Sequence, residues 1–184
     1  MKNCEQTKGL SVLQHGDSVL AYTFDLINYL RGNSSLNFEW RLPDWVLSNK
    51  ELFLSSLPSG ETLTLYTKYH DIGKPYCLTI DDEGRRHFPN HAEVSFQIFS
   101  QLFDNKIAAD LIKHDMDIHL LKADGVENFV NNPNALTHIL VGLAELHSNA
   151  QMFGGIESTS FKIKWKSLNA RGKQILNLIN TKIK

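Results

Sequence analysis

Hydrophobic residues recur at helical spacing through most of the chain. A first helix is predicted by four residues at i, i+4, i+7 and i+11, namely His15, Val19, Tyr22 and Leu26. Gly32 and the polar residues after it predict the end of this helix. Pro43 and Asp44 are start signals for a short second helix, and the turn residues 58–60 predict its end.

The next segment, residues 61–71, contains conflicting signals. Its β-branched residues favour a strand, but Leu63, Tyr66 and His70 keep the spacing of one helical face. We therefore expect a helix that ends at an adjacent His-Asp pair. A loop follows, with a small hairpin predicted around residues 82–84.

Further helical faces are predicted in the second half of the chain. Their inward residues are His91, Ser95, Ile98 and Leu102 after Pro89; Ile107, Leu111 and His114 next; Leu136, Leu140, Leu143, His147 and Ala150 in a long helix after Pro133; and Leu168, Ile175, Leu178 and Ile179 in a final helix over residues 167–180. Nothing in the pattern requires a sheet. The predicted fold class is all-α, a helical bundle over residues 1–157 with a basic C-terminal extension, residues 158–184, packed on the same domain.

Charge is distributed unevenly along the chain. The net charge is −1, yet the extension contains seven basic residues and no acidic one, which leaves 12 basic and 20 acidic residues and a net charge of −8 before it. A basic segment suits an anionic partner such as RNA, with Phe161 and Trp165 available to stack on bases. The alternative is a solvated terminal helix with Trp165 in the core.

Composition indicates a protein of the cytoplasm without a membrane span. No apolar run approaches the roughly 20 residues that a membrane helix needs, and the first residues are too polar for a signal peptide. Cys4 and Cys77 form neither a CxxC pair nor a disulfide framework. A reducing compartment is therefore expected.

Histidines lie on the apolar sides of five different predicted helices: His15, His70, His91, His114 and His147. One inward histidine is usually a hydrogen-bonded core residue, but burying several imidazoles without partners costs about 1–3 kcal/mol each. A metal ion would remove that cost, because it takes ring nitrogens as ligands. Asp71 adds an oxygen that partly neutralises the cation.

This donor set suits a divalent transition metal. Imidazole with carboxylate favours iron, manganese, nickel, cobalt or zinc over calcium, and the absence of cysteine argues against a closed structural zinc site. His15, His70 and Asp71 form one expected position. His91 and His114 either complete a second position or line a phosphate pocket, so the number of ions, one or two, stays open.

Two other histidines are interpreted differently. His87 lies in the predicted hairpin beside Arg85 and Arg86, where it could meet substrate. The arginines could supply a guanidinium fork for an anionic group such as a phosphate or for RNA, or they could form a solvated hairpin tip. His138 falls on the polar face of its helix and is expected to be solvated.

These residues resemble the signature of the HD-domain phosphohydrolases, in which an early His, a His-Asp pair and a late Asp bind metal inside a helical bundle. His15 in LQHGDSV matches the first position, and YHDIGKP, residues 69–75, contains the pair. HFPNHAEVS, residues 87–95, is similar to the segment that follows in the HD domains of bacterial tRNA nucleotidyltransferases. His91 and His114 match further histidines of two-metal HD proteins. The resemblance covers roughly residues 12–150.

The resemblance implies a metal-dependent phosphohydrolase, either a phosphomonoesterase or a phosphodiesterase. Its substrate would be a phosphorylated small molecule such as a nucleotide, or a nucleic-acid end, attacked by a metal-activated water. Asp71 would be a ligand and could accept the proton of that water. Lys74 would hold a phosphate oxygen, the alternative being that it complements a helix C-terminal dipole.

The late helix departs from the family pattern. This chain reads LAELHSNA where the family commonly reads LAEAD..A, so His147 stands where the ligand Asp would be. His147 could be a metal ligand, a hydrogen-bond donor to another ligand, or a core residue. The departure supports an alternative function, a degenerate HD domain that binds nucleotide or RNA without turnover. A di-iron HD oxygenase is a further alternative.

Overall fold

The computed structural model describes residues 1–7 and 9–183. Within them the fold is all-α, as predicted. The helices are α1 (Val12–Leu30), α2 (Asp44–Ser48), α3 (Lys50–Ser56), α4 (Gly60–Tyr69), α5 (Lys74–Cys77), α6 (His91–Leu102), α7 (Lys106–Lys113), α8 (Asp117–Leu120), α9 (Val126–Phe129), α10 (Ala135–Met152) and α11 (Thr159–Ile183), with a 3₁₀ turn at Ala123–Gly125. Among the described residues, no helix combines the length and the hydropathy that a membrane-spanning segment needs.

Short strands form two small antiparallel sheets in the described residues. One pairs β1 (Glu5–Thr7) with β2 (Leu10–Ser11), and the other pairs β3 (Thr79–Ile80) with β4 (Arg86–His87). The second confirms the predicted hairpin, in which Gly84 adopts a φ of +76° that a residue with a Cβ rarely takes.

Contacts group the chain into two compact units, a division that periodicity did not predict. The first unit contains residues 1–20 and 58–116, and the second contains residues 21–57 and the chain from residue 117 onwards. In the first, α7 packs against α4 and α6, and α5 packs against α6. The predicted boundary between residues 157 and 158 stays a prediction.

In the second unit, α10 packs against α3, α8 and α11, and α11 also contacts α2 and α9. Gly172 of α11 permits a close approach, because a Cβ there would lie 2.4 Å from the ring of Trp45. The Trp45 indole N–H donates to Asn169 Oδ1 at 2.8 Å. α10 is buried around most of its circumference, so His138, predicted to be solvated, is fully buried instead.

The predicted inward faces of α6 and α7 are partly wrong. Phe99 is fully buried, whereas Leu102, in the last position of α6, is 64 % exposed. On α7, Ile107 is 53 % exposed, and Ile112 is buried instead. Both helices carry apolar residues on more than one side, so the packing partner decides which side is buried. The single short helix predicted after Pro43 is divided at residue 49 into α2 and α3.

Candidate metal site

A buried carboxylate, that of Asp71, lies among imidazoles from three parts of the first unit. Its Oδ2 atom is 3.2 Å from His70 Nε2 and 3.6 Å from His15 Nε2. Its Oδ1 atom is 3.6 Å from His91 Nε2. Each histidine therefore directs Nε2 towards the same side chain, although residues 15 and 91 are far apart in the sequence.

Close contact between α1 and α4 brings the first two histidines together. A Cβ at Gly16 would lie 2.2 Å from the carbonyl oxygen of Lys68, so only glycine allows this approach. His15 lies in the first turn of α1 and His70 directly follows α4, and their ring centroids are 5.1 Å apart. One ring nitrogen of His15 lies within 4.8 Å of one ring nitrogen of His70, so the two rings are close enough to bind one metal ion.

A second close approach holds the turn after Asp71 against α6. The Gly73 N–H donates to the buried Ser95 Oγ at 2.9 Å. A Cβ at Gly73 would lie 2.4 Å from the backbone nitrogen of Ser95, so glycine is required here too. This contact fixes Asp71 relative to His91, the first residue of α6.

Backbone carbonyls determine the tautomers of two of these rings. His70 Nδ1 lies 2.8 Å from the carbonyl oxygen of Thr67, and His91 Nδ1 lies 3.0 Å from that of Phe88. A carbonyl oxygen only accepts, so each Nδ1 carries a proton and donates it. In a neutral ring, the Nε2 lone pair then points at the Asp71 carboxylate. This arrangement is typical of histidines that bind metal through Nε2.

A lone pair facing a carboxylate is repulsive unless a cation lies between them. The cation is either a proton, which makes the ring an imidazolium, or a metal ion. Imidazole nitrogens and one carboxylate are also the donors that divalent transition metals prefer. The donor set formed by His15, His70, Asp71 and His91 therefore fits such an ion.

A lysine also contacts Asp71. The Nζ atom of Lys74 is 2.6 Å from Asp71 Oδ2, 3.0 Å from Gln6 Oε1 and 5.3 Å from the centre of the Phe88 ring. Lys74 is only 7 % exposed, so its ammonium faces the carboxylate and not solvent. The predicted phosphate contact would require this side chain to change partners.

Asp71 is ionised in this environment. Burial alone would raise the pKa of its carboxyl, but the neighbouring charges of His70 and Lys74 hold that pKa far below its usual range. A carboxylate with so low a pKa is a weak base. The ionised carboxylate is suited to bind a cation, and the predicted role of Asp71 as a proton acceptor stays a prediction.

His114 lies at the C-terminal end of α7, and its ring is 37 % exposed. Its Nε2 atom is 3.8 Å from Asp110 Oδ1. His114 is predicted on the apolar side of its helix together with Leu111; Leu111 is buried, whereas the His114 ring is only partly covered. A second metal position built on His91 and His114 stays a prediction. Of these two residues, His91 lies beside Asp71.

His147 has hydrogen bonds at both ring nitrogens inside the second unit. Nδ1 donates to the Leu143 carbonyl oxygen at 2.7 Å, and Nε2 accepts from the Arg41 backbone N–H at 3.0 Å. The ring packs between Trp40 and Phe161, at centroid distances of 4.5 and 5.1 Å. Burial lowers the pKa of His147 to about 4. These contacts favour a neutral core residue over the metal ligand that the sequence pattern suggested.

The predicted substrate-binding residues of the β3–β4 hairpin have acidic partners. Arg85 Nε and His87 Nε2 each lie 2.8 Å from Asp81 Oδ2, and Arg86 lies 2.5 Å from Glu5. Hydrogen bonds from His87 and Arg85 hold the pKa of the Asp81 carboxyl well below its usual range. The contacts favour the interpretation of this hairpin as a solvated tip.

The aromatic residues of the basic helix take part in packing. The Trp165 indole N–H donates to the Arg41 carbonyl oxygen at 2.7 Å, and the Arg41 guanidinium lies 5.7 Å from the centre of its ring. Phe161 is buried. Both rings are thus engaged within the second unit, so base stacking on them is not favoured.

The sequence alone did not identify the residues that contact Lys74 or the residue that holds the turn at Gly73. Gln6 carries no motif and lies 68 positions from Lys74. Phe88 and Ser95 fall inside the segment that resembles the family pattern, so their position beside the predicted site residues could have identified them.

Comparison with known proteins found no match to a family model, a curated protein or a solved structure.

Proposed function

We propose that the chain is a metal-dependent phosphohydrolase of the HD type. His15, His70 and Asp71 would hold a divalent transition ion, with His91 as a further ligand. The proposal rests on one observation, the convergence of imidazole Nε2 atoms on the single buried carboxylate of Asp71. A bound ion would lower the pKa of a coordinated water and polarise a phosphoryl oxygen.

The chain's own residues would prepare the site for that ion. The carbonyl groups of Thr67 and Phe88 hold two rings in the tautomer that presents Nε2. Asp71 supplies the negative charge, and its position is maintained by the contact of Gly73 with Ser95. Such pre-orientation means that little freedom is lost when a ligand binds.

For the substrate we propose a phosphomonoester or phosphodiester of a nucleotide or of an RNA end. The resemblance of residues 87–95 to HD domains of tRNA nucleotidyltransferases supports this choice. An accessory RNA contact through α11 is supported by its charge, because the described part of this helix contains basic residues and no acidic one. Lys164 and Lys166 are exposed, and Lys162 pairs with Glu157 at 2.7 Å.

The test combines metal content with a substrate panel. Protein purified without a metal-affinity tag would be analysed for bound elements and assayed with nitrophenyl phosphates, nucleoside monophosphates and 2′,3′-cyclic nucleotides, with Fe, Mn, Ni, Co or Zn added. We expect one of these metals to bind and to support phosphate release. Asp71→Asn and His70→Gln should lose both properties, whereas His114→Ala should retain the first ion. Full metal occupancy in Asp71→Asn would contradict the proposal.

A second function, binding without turnover, is favoured by the contact between Lys74 and Asp71. An ammonium at 2.6 Å already neutralises the carboxylate without any metal. Nucleotide or RNA binding without phosphate release, under every metal condition, would support this degenerate domain. Oxygen uptake without phosphate release would support the di-iron alternative.

A further inference from the structure

Lys74 occupies a position that is built for a cation. Its ammonium is surrounded by the Asp71 carboxylate, the amide oxygen of Gln6 and the face of the Phe88 ring. Each of these groups attracts positive charge, the ring through its quadrupole. Because the side chain is almost completely buried, this contact is part of the folded structure of the first unit and not a surface ion pair.

One oxygen of the Asp71 carboxylate faces both the Lys74 ammonium and the two histidines. Asp71 Oδ2 contacts Lys74 and is also the oxygen nearest to His70 and His15. A metal ion bound between Asp71 Oδ2 and these histidines would use the oxygen that the ammonium already contacts. Two cations at one carboxylate oxygen repel each other strongly in a buried site, where solvent screening is weak.

We propose that the Lys74 ammonium and a metal ion compete for Asp71, and that Gln6 sets the balance as a positioning residue. This inference rests on the proposed function, because it takes the site to be a metal site. In the metal-free protein Lys74 neutralises Asp71. Metal binding then requires the ammonium to withdraw, which makes it available to a phosphate group.

Gln6 acts from the N-terminal strand β1. Neighbouring residues of a strand point to opposite sides, and the two contacts follow this rule, since Glu5 pairs with Arg86 while Gln6 contacts Lys74. The strand thus carries the amide that retains Lys74 beside Asp71. Loss of this amide should weaken the hold on the ammonium without removing any charge.

Metal affinity, measured by calorimetry with Mn²⁺, Ni²⁺ and Zn²⁺, tests the competition. Lys74→Met keeps the length and apolar stem of the side chain and removes its charge, and Lys74→Gln is a second neutral variant. We expect both to bind metal at least tenfold more tightly than the wild type. Lys74→Arg, the control that retains the charge, should not show this gain in affinity. Circular dichroism confirms that each variant is folded.

The outcomes separate this inference from the proposed function. If the wild type binds metal and the folded neutral variants bind it equally or less tightly, the inferred competition between Lys74 and the metal ion is contradicted. The proposed metal site is then still supported. If no protein binds any of the metals, the proposed function fails and the inference fails with it. If only the neutral variants bind, Lys74 excludes the metal completely, which supports both competition and the degenerate domain.

The role of Gln6 is tested by a double-mutant cycle. Gln6→Ala should tighten metal binding two- to fivefold in the wild type and leave it unchanged in Lys74→Met. An equal change in both backgrounds would show that Gln6 acts independently of Lys74. Weaker binding in both would identify Gln6 as a metal ligand and overturn its positioning role.

Discussion

The Nε2 atom of His70 lies 3.2 Å from the Oδ2 atom of Asp71, the residue that follows it in the chain. The opposite nitrogen of the ring is held by the carbonyl oxygen of Thr67. An ordinary helix C-terminus would leave these side chains hydrated. Here both are buried and directed at each other, an arrangement that a shared cation, either a proton or a metal ion, would stabilise.

Removing the charge of Asp71 should destabilise the metal-free protein. Asp71→Asn leaves the buried ammonium of Lys74 without its counter-ion, and breaking a buried pair in this way costs about 3–5 kcal/mol. Urea unfolding in the presence of a chelator measures the change. The matched control is Asp17→Asn, because Asp17 and Lys68 form a more exposed pair at 2.8 Å that should contribute under about 1 kcal/mol. Equal effects of the two substitutions would contradict the structural role of the buried pair.

Adding a methyl group at Gly73 should disrupt the turn that carries Asp71. A Cβ there would lie 2.4 Å from the Ser95 backbone nitrogen, so Gly73→Ala forces backbone movement and should cost about 3 kcal/mol of unfolding free energy. Gly60→Ala is the control, because the added carbon would meet nothing within 4 Å beyond its chain neighbours and the backbone of its own helix. Placed at the start of α4, it should be neutral or stabilise by up to about 1 kcal/mol.

Loss of the Ser95 hydroxyl tests the same turn by a different route. Ser95→Ala leaves the buried N–H of Gly73 without its acceptor, which should cost about 1–3 kcal/mol. Thr64→Val is the control, because the hydroxyl of Thr64 is bonded to the Gly60 carbonyl on an exposed face. A smaller loss in Ser95→Ala than in the control would show that the hydroxyl does not hold the turn.

His147 should make stability depend on pH. Burial lowers its pKa from an ordinary value of 6.5 to about 4, so the unfolded chain binds the proton first as the pH falls. The stability contributed by the neutral ring is complete above pH 6.5 and is lost as the pH falls through 4. Between pH 7 and pH 5 the loss should be about 2 kcal/mol.

Denaturant unfolding at several pH values, with His147→Gln for comparison, isolates this contribution. Glutamine keeps one donor and one acceptor for Leu143 and Arg41 but does not titrate. We therefore expect a shallower loss of stability in the variant over this pH range. Identical pH profiles for the two proteins would show that His147 is not the titrating group.

RNA affinity should depend steeply on salt if α11 binds the phosphate backbone. Replacement of Lys162, Lys164 and Lys166 with Gln removes three charges, which should reduce the slope of log K against log salt by about 2 for single-stranded RNA. The matched control replaces Lys2, Lys50 and Lys106 outside this helix. Hydrolysis of a small nitrophenyl ester should be unchanged in both. Absent or salt-independent RNA binding would leave α11 as a solvated helix.

Sequence periodicity alone determined the helices whose apolar residues lie on one side. The face of His15, Val19, Tyr22 and Leu26 is buried as predicted, and so is the face of α10 that contains Leu140 and Leu143. A helix over residues 61–71 is predicted despite the β propensity of the segment, because its apolar residues keep the spacing of one buried helical face. The adjacent His-Asp pair also marked the candidate site, since its chemistry is visible in the sequence.

Only the tertiary structure decided which polar groups meet. Helical spacing places His91 and His147 equally well on inward faces, yet one ring faces Asp71 and the other is hydrogen-bonded to Leu143 and Arg41. Gln6 contacts Lys74 across 68 positions, a pairing that no local pattern contains. The spacing of the residues along a helix determines which side of that helix each residue occupies. Its hydrogen-bond partner depends on how separate elements pack, and on glycines such as Gly16 and Gly73 that permit close approach.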